Sequence, residues 1–251
     1  STDTPFKGFQ KGRRFSLNTN DIEALKSEYS KEIKLLAPRN QTNNLITHNF
    51  KSGNFNVSGD YPVLDKIQKK KLIYGRFLNE NDILSTAKVA VISEDMYKQL
   101  FDKDVMPVGE YIKINAINYK VIGVYEPSNT INFDGDAAYI PFTTFRKVYN
   151  TANKIDWMMI TANEGTDIEQ MEKDILLTLK SLHKVHPDDK RAFGSANLGK
   201  EIGKVTGFLT GMQFLTWFVG IATLIAGVFA IGNILLITVK ERTKEIGIRR
   251  A

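Results

Sequence analysis

The chain has 251 residues, of which 42% are hydrophobic, and its formal net charge is +6. Half of that charge lies in residues 240–251, which carry five basic and two acidic side chains, so the preceding residues form no basic patch of the kind that binds nucleic acid. The sequence contains no cysteine, which excludes disulfides and thiolate metal sites. The length allows one large domain or two small ones.

The N-terminal residues 1–12 are polar and contain glycine and proline, so they are predicted to form a tether. A first strand is predicted over residues 13–17. Asn20 or Asp21 then caps a predicted helix, Ile22–Tyr29, because either side chain can accept a hydrogen bond from the free N–H groups of a first helical turn.

The next stretch predicts strands. Ile33–Ala37 is predicted to end at Pro38, since proline has no N–H to donate to a neighbouring strand. Leu45–Phe50 and Phe55–Ser58 alternate apolar and polar residues. The intervening Ser52–Asn54 contains a glycine, so the two segments predict a hairpin with its turn at that glycine.

Residues 75–142 have a different pattern, with short β-rich segments around one predicted helix, Glu94–Phe101. Residues 115–118 favour a hairpin turn, and the polar residues 127–136 favour a loop. This pattern predicts a small β-rich subdomain inserted into the first one. Its predicted strands are Val89–Ile92, Tyr111–Ile114, Tyr119–Val124 and Ala138–Ile140.

After residue 143 the chain returns to alternating strands and helices. Trp157–Ala162 predicts a strand, Asp167–Leu182 an amphipathic helix, and Arg191–Ala196 a further short strand. Together with the first strands and helix, these segments predict an α+β fold.

Two sequence features resemble small-molecule sites, and neither is complete. Residues 194–201, GSANLGKE, approach the phosphate-binding pattern G-x-x-x-x-G-K-[ST], but Glu201 replaces the hydroxyl residue that holds magnesium. His183 and His186 lack the third and fourth ligands of a zinc site and are interpreted as part of a solvated helix end. Since there is also no catalytic motif, the sequence predicts no cofactor, no metal and no enzymatic activity.

Small residues recur every four positions towards the C-terminus. Each glycine costs a helix about 1 kcal/mol relative to alanine, so a helix here requires compensation by close packing against another helix. The alternative is a flexible, glycine-containing linker. The predicted contact residues are Gly199, Gly203, Gly207 and Gly211, followed by Ala222, Ala226 and Ala230.

Residues Val205–Val239 contain no charged side chain, and this run is long enough for a transmembrane helix. A core helix of a soluble protein is the alternative, but it would show a polar face. The basic residues after Val239 predict that Ala251 is cytoplasmic and that residues before about 205 are extracytoplasmic. Because no other apolar run of this length is present, we expect a first transmembrane helix upstream of Ser1.

Several motifs, in their order along the chain, resemble those of a known family. ERTKEIGIRRA (residues 241–251) and the preceding IAGVFAIGNILLITVK resemble the segment after the second transmembrane helix, and the end of that helix, in MacB-type ABC transporter permeases. GRFLNENDI (75–83) resembles the GRF-x-x-x-D signature of the extracytoplasmic domain. VAVI (89–92), MPVGEYIKI (106–114) and YKVIGV (119–124) are also similar, so the resemblance covers about Leu17 to Ala251.

The resemblance implies four regions. Residues 1–74 and 143–198 would form a porter-like subdomain, interrupted by a smaller Sabre-like subdomain at 75–142. A stalk and transmembrane helix would follow at 199–239, and the start of a cytoplasmic coupling segment at 240–251. In this family the coupling segment contacts the ATPase. The residues that match it are Glu241, Arg242, Thr243, Glu245, Ile246 and Gly247.

The resemblance also implies a function in the bacterial inner membrane. A permease subunit of this type relays cytoplasmic ATP hydrolysis to its extracytoplasmic domain, a process called mechanotransmission, and exports peptides, antibiotics or toxins. The implied partners are a second identical or paralogous permease, an ABC ATPase domain, and, in Gram-negative bacteria, a MacA-like adaptor and an outer-membrane channel. The ATPase itself would lie outside this chain.

Two other functions are alternatives. An FtsX-like regulator would activate cell-wall hydrolases without transport, and a lipoprotein-release permease would act on a different cargo. FtsX outer domains lack the insertion that contains the GRF motif, so residues 75–83 favour the transporter.

Overall fold

The computed structural model of the chain describes residues 1–102, 104–127 and 136–250, without the side chains at positions 201, 202, 204, 241 and 244–250. It divides into two compact units, Ser1–Gly194 and Ser195–Ala251. The predicted loop 127–136 lies mostly outside the described residues. The helices are α1 (Thr19–Glu28), α2 (Val63–Ile67), α3 (Glu80–Leu84), α4 (Glu94–Leu100), α5 (Phe142–Tyr149), α6 (Ile168–Leu182) and α7 (Leu198–Arg250). The strands are β1 (Leu17–Asn18), β2 (Ile33–His48), β3 (Lys51–Asp60), β4 (Lys71–Gly75), β5 (Val89–Ser93), β6 (Tyr111–Ile114), β7 (Ile117–Glu126), β8 (Ala137–Pro141), β9 (Lys154–Ile155) and β10 (Trp157–Ala162).

The main sheet of the first unit has the order β10-β2-β3-β8-β5-β7-β4. It also curls back on itself, because β6 pairs with both β2 and β7. The pairing therefore runs in a closed ring, β2-β3-β8-β5-β7-β6. Buried side chains of these strands form one core with residues of α4 and α5, among them Ile46, Val57, Ile92, Met96, Ile112, Tyr119, Ile140 and Phe145.

A second core lies where α1 and α6 pack with β2 and β9. Leu25 of α1, Leu36 of β2, Ile155 of β9 and Ile175 of α6 are all buried in it. The apolar residues of α6 recur at helical spacing, so one face of that helix is buried and the other is exposed. The first unit is thus α+β, as predicted. Strands from residues 1–74 and from 75–142 share the ring, and the division into porter-like and Sabre-like subdomains stays a prediction.

Strand β2 does not end at Pro38 as predicted. Residues Ile33–Arg39 pair with β10, and pairing with β3 begins only at Asn40. Pro38 therefore has a neighbouring strand on one side only, and its missing N–H removes no hydrogen bond on the other side.

The β2–β3 turn is also displaced from its predicted position. The turn residues are Asn49 and Phe50, between the paired His48 and Lys51, and Asn49 has a left-handed φ of 51°. Gly53 lies inside β3, where a Cβ would come within 2.6 Å of Gln99 Nε2. This glycine permits the close approach of α4 and makes no turn.

Three predictions for the connecting segments are wrong. The N-cap of α1 is Asn18, whose side chain accepts hydrogen bonds from the N–H groups of Asn20 and Asp21, while Asp21 accepts from the Asn18 N–H. Residues 1–12 are not a loose tether, since Thr2 is buried and is hydrogen-bonded to Arg13. Residues 191–193 form bends, and no strand is found in residues 191–196.

Candidate functional site

The second unit is dominated by α7, a single helix from Leu198 to Arg250. The most apolar 18 residues within its stretch Leu198–Lys240 have a mean hydropathy of 2.3, and none of them is buried. In the described part of the chain, this is the one helix that is long and apolar enough to cross a membrane. Side chains such as Trp217 and Phe229 are exposed.

The hydroxyl groups of α7 are satisfied within the helix. Threonine side chains donate to the carbonyl oxygen four residues earlier, and such internal bonds lower the cost of placing a hydroxyl in hydrocarbon. The bonds run from Thr210 to Thr206 (2.9 Å), Thr216 to Met212 (3.0 Å), Thr223 to Val219 (2.8 Å) and Thr238 to Ile234 (2.9 Å). These threonines are therefore compatible with a transmembrane position.

The glycines of α7 border open space. A Cβ at Gly203, Gly207 or Gly211 would meet no atom within 4 Å, and at Gly199 it would meet only Asn197 Oδ1, at 3.5 Å. Contacts inside the described chain therefore do not explain this ridge. Ala222, Ala226 and Ala230 are also exposed. Packing of either ridge against a second helix stays a prediction.

The predicted coupling residues continue the backbone of α7, so the apolar and charged parts form one helix. Arg242 is exposed, and the Thr243 hydroxyl donates to the carbonyl oxygen of Val239 at 2.7 Å. The side chains of Glu241, Glu245 and Ile246, together with Gly247, lie outside the described set. Their role in coupling stays a prediction.

The GRF motif of the first unit makes a tight backbone junction. Gly75 has a φ of +73°, and a Cβ there would lie 2.1 Å from the carbonyl oxygen of Ile122. A Cβ at Gly123 would lie 2.3 Å from the carbonyl oxygen of Arg76. Both positions therefore require glycine, and Phe77 is buried against Tyr139.

Arg76 and Asp82 form a two-pronged ion pair beside this junction. Arg76 Nη1 donates to Asp82 Oδ2 at 2.6 Å, and Nη2 donates to Oδ1 at 3.0 Å. Burial by itself would raise the pKa of Asp82, but the hydrogen bonds from Arg76 and the Asn79 backbone outweigh it and lower the pKa. The GRF motif is thus a structural joint, with four residues between Phe77 and its aspartate.

The histidines of residues 183–186 are not a solvated helix end. His183 Nε2 lies 2.8 Å from Asp21 Oδ2, and these side chains are only 11% and 4% exposed. His186 contacts the ring of Phe6. Among the described residues there is no group of three or more His, Cys, Asp or Glu side chains that could hold a metal. The incomplete phosphate-binding pattern begins in irregular chain and enters α7 at Leu198.

Comparison with known proteins gives a consistent result. A model of the MacB-like periplasmic core domain family matches residues 2–176. The chain is 28% identical over 248 residues to the macrolide export ATP-binding/permease protein MacB of Bdellovibrio bacteriovorus, which covers 96% of this chain and 37% of that protein. It is 30% identical over 186 residues to the uncharacterized ABC transporter permease YknZ of Bacillus subtilis, covering 74% and 45% of the two chains. The sequence thus spans less than half of either relative.

The fold is also similar to a solved structure. The crystal structure of the periplasmic region of MacB from Actinobacillus actinomycetemcomitans matches with a TM-score of 0.60 and 22% identity, over 72% of this chain and 81% of that one.

Proposed function

Because the chain belongs to the family of MacB-like periplasmic core domains, we propose that it is part of the permease subunit of an ABC transporter. In this proposal it supplies the extracytoplasmic domain, the second transmembrane helix and the start of the coupling segment. One observation carries the proposal. A folded α+β unit is followed in the same chain by an exposed apolar helix whose last residues are basic. This arrangement suits an inner-membrane protein with a periplasmic domain.

The proposed role of α7 is to relay displacement. Its 53 residues extend about 80 Å at about 1.5 Å per residue. Since the hydrocarbon layer is about 30 Å thick, the helix is long enough to project on both sides of a membrane. A continuous hydrogen-bonded helix passes an axial or rocking displacement along its length with little internal bending. ATP would bind and react in a nucleotide-binding domain outside these 251 residues.

The proposed partners follow from the same placement. The exposed glycine and alanine ridges suit close contact with helices of the same or a second permease copy. Residues 241–247 suit contact with the ATPase domain. A periplasmic adaptor and an outer-membrane channel complete the proposed assembly in Gram-negative bacteria, with peptides, antibiotics or toxins as cargo. The comparisons do not favour the FtsX-like alternative.

The relay is tested on the complete permease assembled with its ATPase in nanodiscs. Proline at position 219, in the middle of the apolar stretch, removes a backbone hydrogen bond and kinks the helix. We expect the Val219→Pro variant to retain the bound ATPase and to lose most of the ATP turnover that depends on the assembled complex. Val219→Leu is the control and should behave as wild type. Turnover that is the same in both variants contradicts the relay.

A further inference from the structure

The N-terminal residues fold onto the segment that connects α6 to α7. Residues 2–13 first form a closed loop, in which the Thr2 N–H donates to the Arg13 carbonyl at 3.1 Å and the Gly12 N–H donates to the Thr2 carbonyl at 2.8 Å. The Arg13 N–H also donates to the Thr2 hydroxyl at 3.1 Å. This loop is a defined structure and can therefore hold a neighbouring segment in place.

The first connection is made by Asp189, a buried carboxylate. Its Oδ2 accepts hydrogen bonds from the N–H groups of Asp3 (2.6 Å) and Thr4 (3.1 Å), and its Oδ1 accepts from Arg191 (3.0 Å). Burial by itself would raise the pKa of Asp189, but these backbone N–H groups, with that of Ala192, outweigh it and lower the pKa. Asp189 thus joins two segments that lie about 185 residues apart in sequence.

The second connection surrounds His183, which ends α6. Its Nε2 is bonded to Asp21 in the first turn of α1, and its ring packs against Phe15, with centroids 5.0 Å apart. Phe15 in turn contacts Phe193, with centroids 4.9 Å apart. The Arg13 guanidinium donates to the carbonyl oxygens of His183 and Lys184. Polar and aromatic contacts therefore hold both ends of residues 183–193.

The length of the connection shows why these contacts matter. The chain between α6 and α7 consists of residues 183–197, and the contacts hold all but 194–197. A flexible chain has a root-mean-square length of about 5–6 Å times the square root of its residue number, so four free residues span roughly 11 Å and fifteen span roughly 21 Å. The contacts thus halve the root-mean-square length of the free chain that precedes α7.

We infer that residues 1–15 and 183–193 form a clamp that shortens the free connection to α7, so that displacement of α7 reaches the sheet of the first unit. The clamp gives the proposed relay a second mechanical element and, in that respect, rests on the proposed function. Its structural effect does not depend on transport. Stabilisation of the chain terminus alone would leave the freedom of α7 unchanged.

The test uses the whole 251-residue chain in nanodiscs and measures spin-label distances. The chain has no cysteine, so labels at Leu177→Cys on α6 and Phe208→Cys on α7 are specific, and both native side chains are exposed. Asp189→Ala removes the acceptor of the first connection. Asp188→Ala is the matched control, because the Asp188 side chain is 93% exposed.

We expect the distance distribution between the two labels to widen in Asp189→Ala, by less than the twofold that loss of both connections would give, and to stay unchanged in Asp188→Ala. If Asp189→Ala does not fold, Asp189→Asn should widen the distribution in the same direction, to a smaller extent. Equal widths in wild type, Asp189→Asn and any folded Asp189→Ala would overturn the clamp.

A second readout separates the clamp from the proposed function. In the complete permease with its ATPase, Asp189→Ala should lower the coupled ATP turnover several-fold, and Asp188→Ala should not. A wild-type complex without coupled turnover would contradict the proposed function while leaving the distance result valid. A widened distribution with normal coupled turnover would overturn the role of the clamp in the relay.

Discussion

Arg39 Nε lies 2.9 Å from Asp60 Oδ1, and the two side chains are 1% and 0% exposed. The Arg39 guanidinium also lies over the ring of Trp157, 4.7 Å from its centroid, and 5.6 Å from that of Tyr139. The pair joins β2 to the end of β3, close to the place where β2 changes its partner from β10 to β3. Because both charges have lost their water, each depends on the other.

Asp60→Asn should therefore lower the free energy of unfolding of the first unit by about 3–5 kcal/mol, since it leaves a buried guanidinium without its counter-charge. Urea denaturation of residues 1–194 measures the change. The control is Glu94→Gln, which removes a surface helical pair with Lys98 and should change the free energy of unfolding much less. Similar small losses in both variants would contradict the importance of the buried pair.

The burial of Asp60 also determines how the predicted membrane orientation can be tested. A cysteine at position 60 would be inaccessible to reagent from either side, so the label belongs at Phe50, whose side chain is fully exposed at the β2–β3 turn. In spheroplasts, Phe50→Cys should react with an impermeant maleimide, and Ala251→Cys should react only after lysis. The reverse pattern would contradict the orientation and the proposed function with it.

The close approach at the GRF motif makes Gly75 far more sensitive to substitution than other glycines with positive φ. Gly75→Ala places a Cβ 2.1 Å from a backbone oxygen, whereas Gly165→Ala, at a φ of +84°, meets no atom within 4 Å. Both variants should lose about 1–2 kcal/mol in the free energy of unfolding, because alanine disfavours the left-handed conformation. We expect Gly75→Ala to lose roughly 1–3 kcal/mol more, from displacement of β7. Equal melting temperatures for the two variants would show that the junction relaxes freely.

The Arg76–Asp82 pair predicts a specific dependence of stability on pH. The pKa of Asp82 is lowered from its ordinary value of 3.8, so the folded state binds fewer protons at this group than the unfolded state. Its stabilising contribution is complete above the unfolded pKa and is lost as the pH falls through the lower, folded pKa. Between neutral pH and about pH 3, wild type should therefore lose more stability than Asp82→Asn in denaturation titrations. If stability falls equally with pH in wild type and Asp82→Asn, Asp82 does not contribute to the pH dependence of folding.

The sequence pattern predicted elements that are marked by the spacing or the run of their apolar residues. The helix α6 was predicted because its apolar residues recur on one face. The strand β10 was predicted because its short apolar run has the length of a strand. β4 was not predicted, because its residues KLIYG do not alternate between apolar and polar, and all five are exposed. The position of a turn also depends on single residues. Asn49, for example, makes a turn where Gly53 was expected to.

The ring and the clamp could not be predicted because both depend on contacts between distant segments. β6 pairs with β2 across more than 60 residues, and nothing in YIKI identifies that partner. The partners of Asp189 are backbone N–H groups, which every non-proline residue has. The sequence indicated His183 as a possible metal ligand and Asp21 as a possible helix cap. It did not indicate that the two side chains are hydrogen-bonded to each other. The predicted role of residues 241–247 in coupling is based on the family resemblance alone.

The basic C-terminal end of α7 has two alternative roles. If it docks into the ATPase, Arg242 supplies a planar donor group, Glu241 and Glu245 lie one helical turn apart, and Ile246 supplies an apolar contact. If it only anchors the membrane, the basic residues suffice by attraction to anionic lipid, at about 1 kcal/mol for each charge. The difference lies in the two glutamates and the isoleucine, which lipid anchoring does not require.

Charge-preserving substitution separates these roles. Glu241→Gln with Ile246→Ser keeps every positive charge, so membrane insertion and orientation should be those of wild type. Docking predicts that coupled ATP turnover by the assembled complex falls at least tenfold, because a charge-assisted hydrogen bond at about 1.5–3 kcal/mol and a buried isoleucine contact are both lost. The converse variant, Lys240→Gln with Lys244→Gln, keeps both glutamates and Ile246. It should impair orientation in the labelling assay while correctly inserted molecules still turn over ATP. Unchanged turnover in the first variant would leave lipid anchoring as the role of this segment.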